Sequence, residues 1–316
     1  MPGKDTIRKC AVAAMVGFWW IGIFGQVGIC QAGDTDPVSV MVSILPQSYF
    51  VERIGGERVR VNVLVAPGKS PATYAPSPAQ ISYLAGANVY FRIGVPFENV
   101  LLGKIGSIAG QVLVVDTRRG IHLRKMETGH SVHESEKTRH AGAVEAAAPS
   151  QGEAGHDPHI WLDPKLVRQQ AVTICETLTR IDTEGAAFYQ SNLEKFSSDL
   201  EALDDKLKRI LAPFRGENLY VFHPSFGYFA DAYGLRQFPI EIEGKAPKGK
   251  DLYQFIQAAK SSKARAIFVQ PQFDRHAAEK IAAAIQGAVV PLDPLAGNYM
   301  ENMESMALKI ADAMKR

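Results

Sequence analysis

Two sets of β-branched runs, four early and four late, constrain this chain more than any other feature. The early runs are 38–45 (VSVMVSIL), 59–65 (VRVNVLV), 88–94 (NVYFRIG) and 111–116 (QVLVVD). The late runs are 218–223 (NLYVFH), 236–242 (RQFPIEI), 266–271 (AIFVQP) and 288–293 (AVVPLD). They are bounded by Gly, Pro or Asp, the pattern of short buried strands. Helix candidates near 46–54, 78–86 and 96–108 separate the first set, and others near 225–233, 250–262, 274–286 and 296–314 accompany the second. Strand–helix alternation calls for parallel sheets covered on both faces. The expected fold class is therefore α/β: two lobes, each a roughly four-stranded, mainly parallel sheet with flanking helices.

Between the two sets the chain reads as helical over 164–181 and again over 184–212. In the second stretch Phe196, Leu200, Leu203, Leu207 and Ile210 are spaced 4, 3, 4 and 3, one apolar stripe on a helix. A coiled-coil seam is the other reading, but about two repeats is short for one. The spacing fits better a rigid backbone helix packed along both lobes. The expected division is an N-terminal lobe over 33–181, a linking helix over 182–212 and a C-terminal lobe over 213–316.

The first 32 residues read as an address. Residues 4–9 are basic, 11–29 are mostly apolar, and Cys30-Gln31-Ala32 precedes a polar stretch. That is the order of a secretory signal peptide cleaved after Ala32, which places the mature chain in the periplasm or outside the cell. A retained anchor is the rival, since the apolar run is nearly of spanning length. Lipid attachment at Cys30 fits less well, because Val27-Gly28-Ile29 lacks the small residues expected before such a cysteine. Of the three cysteines only Cys175 then remains, on the apolar side of a helix with Val172 and Leu178. It reads as a buried structural thiol. The whole chain carries 35 Lys and Arg against 33 Asp and Glu; setting aside Lys4, Arg8, Lys9 and Asp5 leaves 32 of each sign. A balanced mature chain gives no support to a nucleic-acid partner.

Residues 125–156 are rich in Glu, Ala, Ser, Gly and Lys and have no periodicity. They hold His130, His133, His140 and His156, half of the eight histidines. The segment reads either as a loop with chance histidines or as a mobile, low-affinity metal collector.

In open α/β sheets, ligands bind beyond the carboxyl ends of the strands. His223 stands after the fifth run, in FHPSFGY, and Asp293 after the eighth, in LDPLAG. The loop APGKSPATYAPSP follows the second run, and HDPHIWLDP (156–164) follows the fourth beyond the histidine-bearing segment. Imidazoles and a carboxylate thus converge on one crevice, a donor set suited to a divalent transition metal. Each has a structural reading too: a turn or cap for Asp293-Pro294, and a helix start for Asp163-Pro164 with Asp163 as N-cap.

With these motifs in order, the chain from about residue 38 onward resembles the solute-binding proteins of zinc and manganese ABC transporters, the ZnuA-type class. The resemblance is carried by SILPQSYFVERIGG, LVAPGKSPATYAPSPAQ, HDPHIWLDP, VFHPSFGYFADAYGL with EIEGKAP, VQPQFD and LDPLAGNYMENM. It implies a non-enzymatic receptor with no catalytic cofactor. The receptor would hold Zn(II), or else Mn(II) or Fe(II), between two lobes and deliver it to a membrane permease with a cytoplasmic ATPase. It implies His159, His223 and Asp293 as metal ligands. The chain departs from the pattern at one place: Ala72 stands where the family's SPHxYEP-type loop carries its first histidine. Water, a loop histidine such as His156, a different metal or a change of ligand class would each accommodate that change. A secreted metallohydrolase using the same three residues is the alternative from another class. In that reading Glu241 and Glu243 either approach the crevice or are merely surface charges or salt-bridge partners. A member that has become an adhesion module is the third.

Overall fold

The computed structural model describes residues 36–108, 111–127, 155–241, 249–273 and 275–315. The expected signal segment, His130, His133, His140 and Glu243 lie outside these residues. β1 (Val38–Val42), β2 (Val59–Val63), β3 (Val89–Arg92) and β4 (Leu113–Asp116) form one sheet in the order β2-β1-β3-β4. β5 (Asn218–Val221), β6 (Arg236–Pro239), β7 (Ala266–Val269) and β8 (Ala288–Pro291) form a second in the order β6-β5-β7-β8. Every pairing is parallel, with Val40 facing Val61 on one side and Val89 on the other, and Val221 facing Phe268. The two sheets therefore repeat one topology. In each, the chain reverses its direction of travel across the sheet beside the first strand, and that reversal opens a crevice at the carboxyl edge.

All eight expected strands are present, and the β-branched runs outlast the ladders by up to three residues at their carboxyl ends. The residues just past the ladders matter for the site: Ser43 after β1, His223 after β5, Glu241 after β6, Gln270 after β7 and Asp293 after β8. Strands such as β1 and β7 are buried almost throughout, as parallel strands covered on both faces must be.

The helices are α1 (Leu45–Gly55), α2 (Pro78–Ala85), α3 (Phe97–Ile108), α4 (Pro164–Ile181), α5 (Ala186–Leu211), α6 (Gly227–Tyr233), α7 (Lys250–Ser261), α8 (Arg275–Ala284) and α9 (Tyr299–Lys315). Local chemistry sets their starts. Ser77 and Gln80 close a capping box ahead of α2, and the Asp163 side chain accepts the Lys165 N–H at 2.9 Å with Pro164 in the first turn of α4. Cys175 is buried in α4 and free.

The 26 residues of α5 span about 39 Å at ~1.5 Å each. Phe196, Leu200, Leu203 and Leu207 are buried along it, the stripe read from the sequence. Phe196 meets Tyr49 and Phe50 of α1, while the same helix packs on α4, α6 and α9. It thus touches helices associated with both sheets. Its first turn is anchored by Asp182, which takes two bonds from Arg58 (2.7 and 2.8 Å), one from the Tyr189 hydroxyl and one from the Gly185 N–H.

The hydrogen bonds from Arg58 lead the causes that pull the Asp182 carboxyl from 3.8 down to about 2. Between those values the unfolded chain binds more protons than the folded one. The stabilisation is therefore present above about pH 3.8 and is lost as pH falls towards about 2. Asp182→Asn should cost about 1.5–3 kcal/mol at neutral pH, the range for hydrogen bonds to a charged group. Urea melts across this pH window should show the gap to wild type closing as the acid limit is approached. A gap that does not vary with pH would refute the assignment.

Candidate metal centre

His159 is held by a short clip. Arg124 and Met126 of the segment after β4 pair with 155–157, through Asp157 N–H to Arg124 C=O (2.9 Å) and Met126 N–H to Gly155 C=O (2.8 Å). One 3-10 turn, Ile160–Leu162, then buries three apolar side chains before α4 begins. Trp161 donates its indole N–H to the Pro294 carbonyl at 2.7 Å, which ties this turn to the loop after β8. His159 is consequently 8% exposed, and its Nδ1 lies 2.7 Å from Asp157 Oδ1. The same oxygen accepts the His159 main-chain N–H. Burial pushes the imidazole pKa down, against the opposing pull of Asp157. A neutral ring whose Nδ1–H points at a carboxylate leaves the Nε2 lone pair for a ligand.

His223 reaches the crevice from the other sheet. Gln270, just past β7, clamps its backbone by accepting the His223 N–H (3.2 Å) and donating to the His223 carbonyl (2.8 Å). Its ring stacks on Phe273 at 4.9 Å, and Nδ1 lies 2.9 Å from Glu241 Oε1. Glu241, 5% exposed, follows β6, the strand paired with β5. The sequence left that glutamate open between crevice and surface; the fold puts it behind His223. The two imidazoles are 5.5 Å apart between centroids at 75°. They face one cavity of about 70 Å³, also lined by Ala72, Val95, Pro96 and Leu295.

Asp293 is placed differently. It lines a neighbouring cavity of about 190 Å³ with Lys69 and Gly297. Its Oδ1 accepts the Gln272 side-chain amide (2.9 Å) and the Leu295 N–H (3.0 Å). Gln272 and Leu295 line both cavities. Among the described residues no three His, Cys, Asp or Glu side chains come together as a metal cluster. The structure thus joins His159 and His223 and sets Asp293 next door. His156 is exposed and bridges to Lys125 rather than facing the cavity.

Sequence reasoning did not assign Asp157 or Arg124 a role. Arg124 lies 4.0 Å from Asp157 Oδ2 and bonds Glu127 at 2.6 Å, while Gln237 of β6 donates to Glu127 at 2.8 Å. Its backbone N–H bonds the Tyr228 hydroxyl of α6. Gly227 makes room for it: a Cβ there would stand 1.7 Å from Arg124 Nη1. The only sequence signal was the acidic residue two before the histidine in HDPH.

Two like sheets that carry carboxylate-backed imidazoles to one crevice define the class, a metal-binding solute-binding protein. The family model for ZnuA, described as "Zinc-uptake complex component A periplasmic", matches residues 40–313, and the chain belongs to that family. A crystal structure of ZnuA superposes with a TM-score of 0.77 at 38% identity, covering 88% of this chain and 99% of that one. A "Putative metal-binding protein" of Chlamydia muridarum is 25% identical over 287 residues, 90% of this chain and 95% of its own. The "High-affinity zinc uptake system protein ZnuA" of Yersinia pestis is 24% identical, covering 84% of this chain and 86% of its own.

Proposed function

We propose that this protein is the exported receptor of a metal importer, binding Zn(II) between the lobes at 33–181 and 213–316 and passing it to a membrane permease driven by a cytoplasmic ATPase. One observation carries the reading: two imidazoles, one buried and one part-buried, each backed at Nδ1 by its own carboxylate, face each other across one cavity. Outer-shell carboxylates of this kind orient metal-binding histidines and raise their basicity. Nitrogen donors favour zinc over the harder manganese, which prefers oxygen. Asp293 supplies negative charge from the adjoining cavity. The role is capture and release, without turnover and without a catalytic cofactor, in the periplasm or outside the cell. Among the described residues no helix is long and apolar enough to cross a membrane.

The test is a competition titration of the chelator-stripped chain with Zn(II) and Mn(II), counting ions bound. One zinc ion per chain that manganese does not displace is the expected result. Retention of neither metal, whatever small solutes accompany it, would remove the proposal.

A further inference from the structure

The cavity between the two imidazoles is shaped for more than a bare ion. The described wall provides two nitrogen donors, from His159 and His223, while zinc favours four. The Ser70-Pro71-Ala72 turn lines the same cavity, and exposed Ala72 brings only a methyl group to it. Pro96, Val95 and Leu295 extend this apolar wall. Water molecules filling the remaining positions would find few hydrogen-bond partners there, and such poorly held water is readily displaced by an organic group.

Size and charge narrow the choice. At roughly 10–15 Å³ per solvent-sized sphere, a cavity of about 70 Å³ holds about five to seven of them. That admits the ion with an organic fragment of about five non-hydrogen atoms. Asp157 and Glu241 already place two carboxylates behind the imidazoles. A chelator with a single negative charge suits those surroundings. Ser70 accepts the Ala72 N–H through Oγ and keeps its hydroxyl proton to donate to such a ligand.

We propose that the site takes its ion together with a small α-amino acid, which binds the metal through its amine nitrogen and one carboxylate oxygen beside Ala72. The ammonium proton is released to solvent as the amine coordinates. His159, His223 and the N,O-chelate complete a four-coordinate shell, and Ala72 is the residue that admits it. This inference rests on the metal-receptor reading above and adds the chemical form of the cargo.

Glycine is the probe, and the sign of its effect decides. Free glycine competes for zinc, so a site built wholly from protein ligands loses zinc as glycine is added. A ternary site gains it. Zinc affinity of the metal-stripped chain should tighten by about tenfold in millimolar glycine. Native mass spectrometry should show one chain, one zinc and one glycine. In Ala72→His, an imidazole at the exposed mouth takes the chelate's place, and glycine should then weaken zinc binding. If glycine weakens zinc binding to the wild-type chain as it does to Ala72→His, the amino-acid proposal is overturned while the receptor reading stands. If the wild-type chain holds no zinc with or without glycine, the receptor reading itself fails.

Discussion

Replacing His159 and His223 together by Ala is expected to weaken zinc binding by a thousandfold or more, on the order of 4 kcal/mol. A complete four-ligand zinc shell is worth roughly 10–16 kcal/mol at neutral pH, so a loss on the order of 4 kcal/mol for two imidazoles is the lower bound of their share. The two rings enter from different sheets and meet across the same cavity. Removing both leaves no described imidazole on its wall. Asp157→Asn and Glu241→Gln give the scale for comparison. Each preserves shape while removing the carboxylate that fixes an imidazole tautomer, and should cost about 10–100-fold. Competition against a chromophoric chelator measures all three variants on one scale. Wild-type zinc affinity in the double variant would show that the ion sits elsewhere.

The order of those effects reflects what a linear sequence can and cannot show. The eight strands were legible because β-branched runs between Gly, Pro and Asp have few other uses, and α5 was legible from its apolar stripe. Its boundaries were less so: 184–212 was expected and Ala186–Leu211 is found, because Asp182 caps a 3-10 turn, Thr183–Gly185, ahead of the helix. His159 and His223 stood out because each follows a strand end in a distinctive motif. Glu241 could not be assigned in the same way. It lies 18 residues beyond His223, and only the pairing of β6 with β5 makes them neighbours. Asp293 shows the converse. Its position after β8 was read as the crevice edge; the fold places it in a neighbouring cavity, where its carboxylate accepts the Gln272 amide. Side-chain direction past a strand end depends on hydrogen bonds that spacing does not encode.

Glu98→Ala should produce the largest loss of stability, about 3–5 kcal/mol, the usual result of breaking a buried charged network from one side. Glu98 is fully buried. Its carboxylate accepts the Ser43 hydroxyl (2.5 Å), the Ile93 N–H (2.9 Å), the Gly94 N–H (2.7 Å) and the Arg92 guanidinium (3.3 Å). Ser43 in turn bonds the Tyr90 hydroxyl. Truncation leaves two main-chain donors unpaired in the interior and takes one of its carboxylate partners from Arg92, which keeps Asp116 at 3.5 Å, and buried unpaired donors carry their full desolvation cost. The network also fixes the turn from β3 into α3, and that turn presents Val95 and Pro96 to the metal cavity. The loss should therefore register in two ways, as a lower denaturant midpoint and as weaker zinc binding. Glu98→Gln keeps the side-chain volume and one carbonyl acceptor, so it should recover part of both. An Ala variant as stable as wild type would show that the carboxylate is not what holds this turn. Recovery of stability without recovery of zinc affinity in the Gln variant would separate the charge beside Arg92 from the shape of the cavity wall.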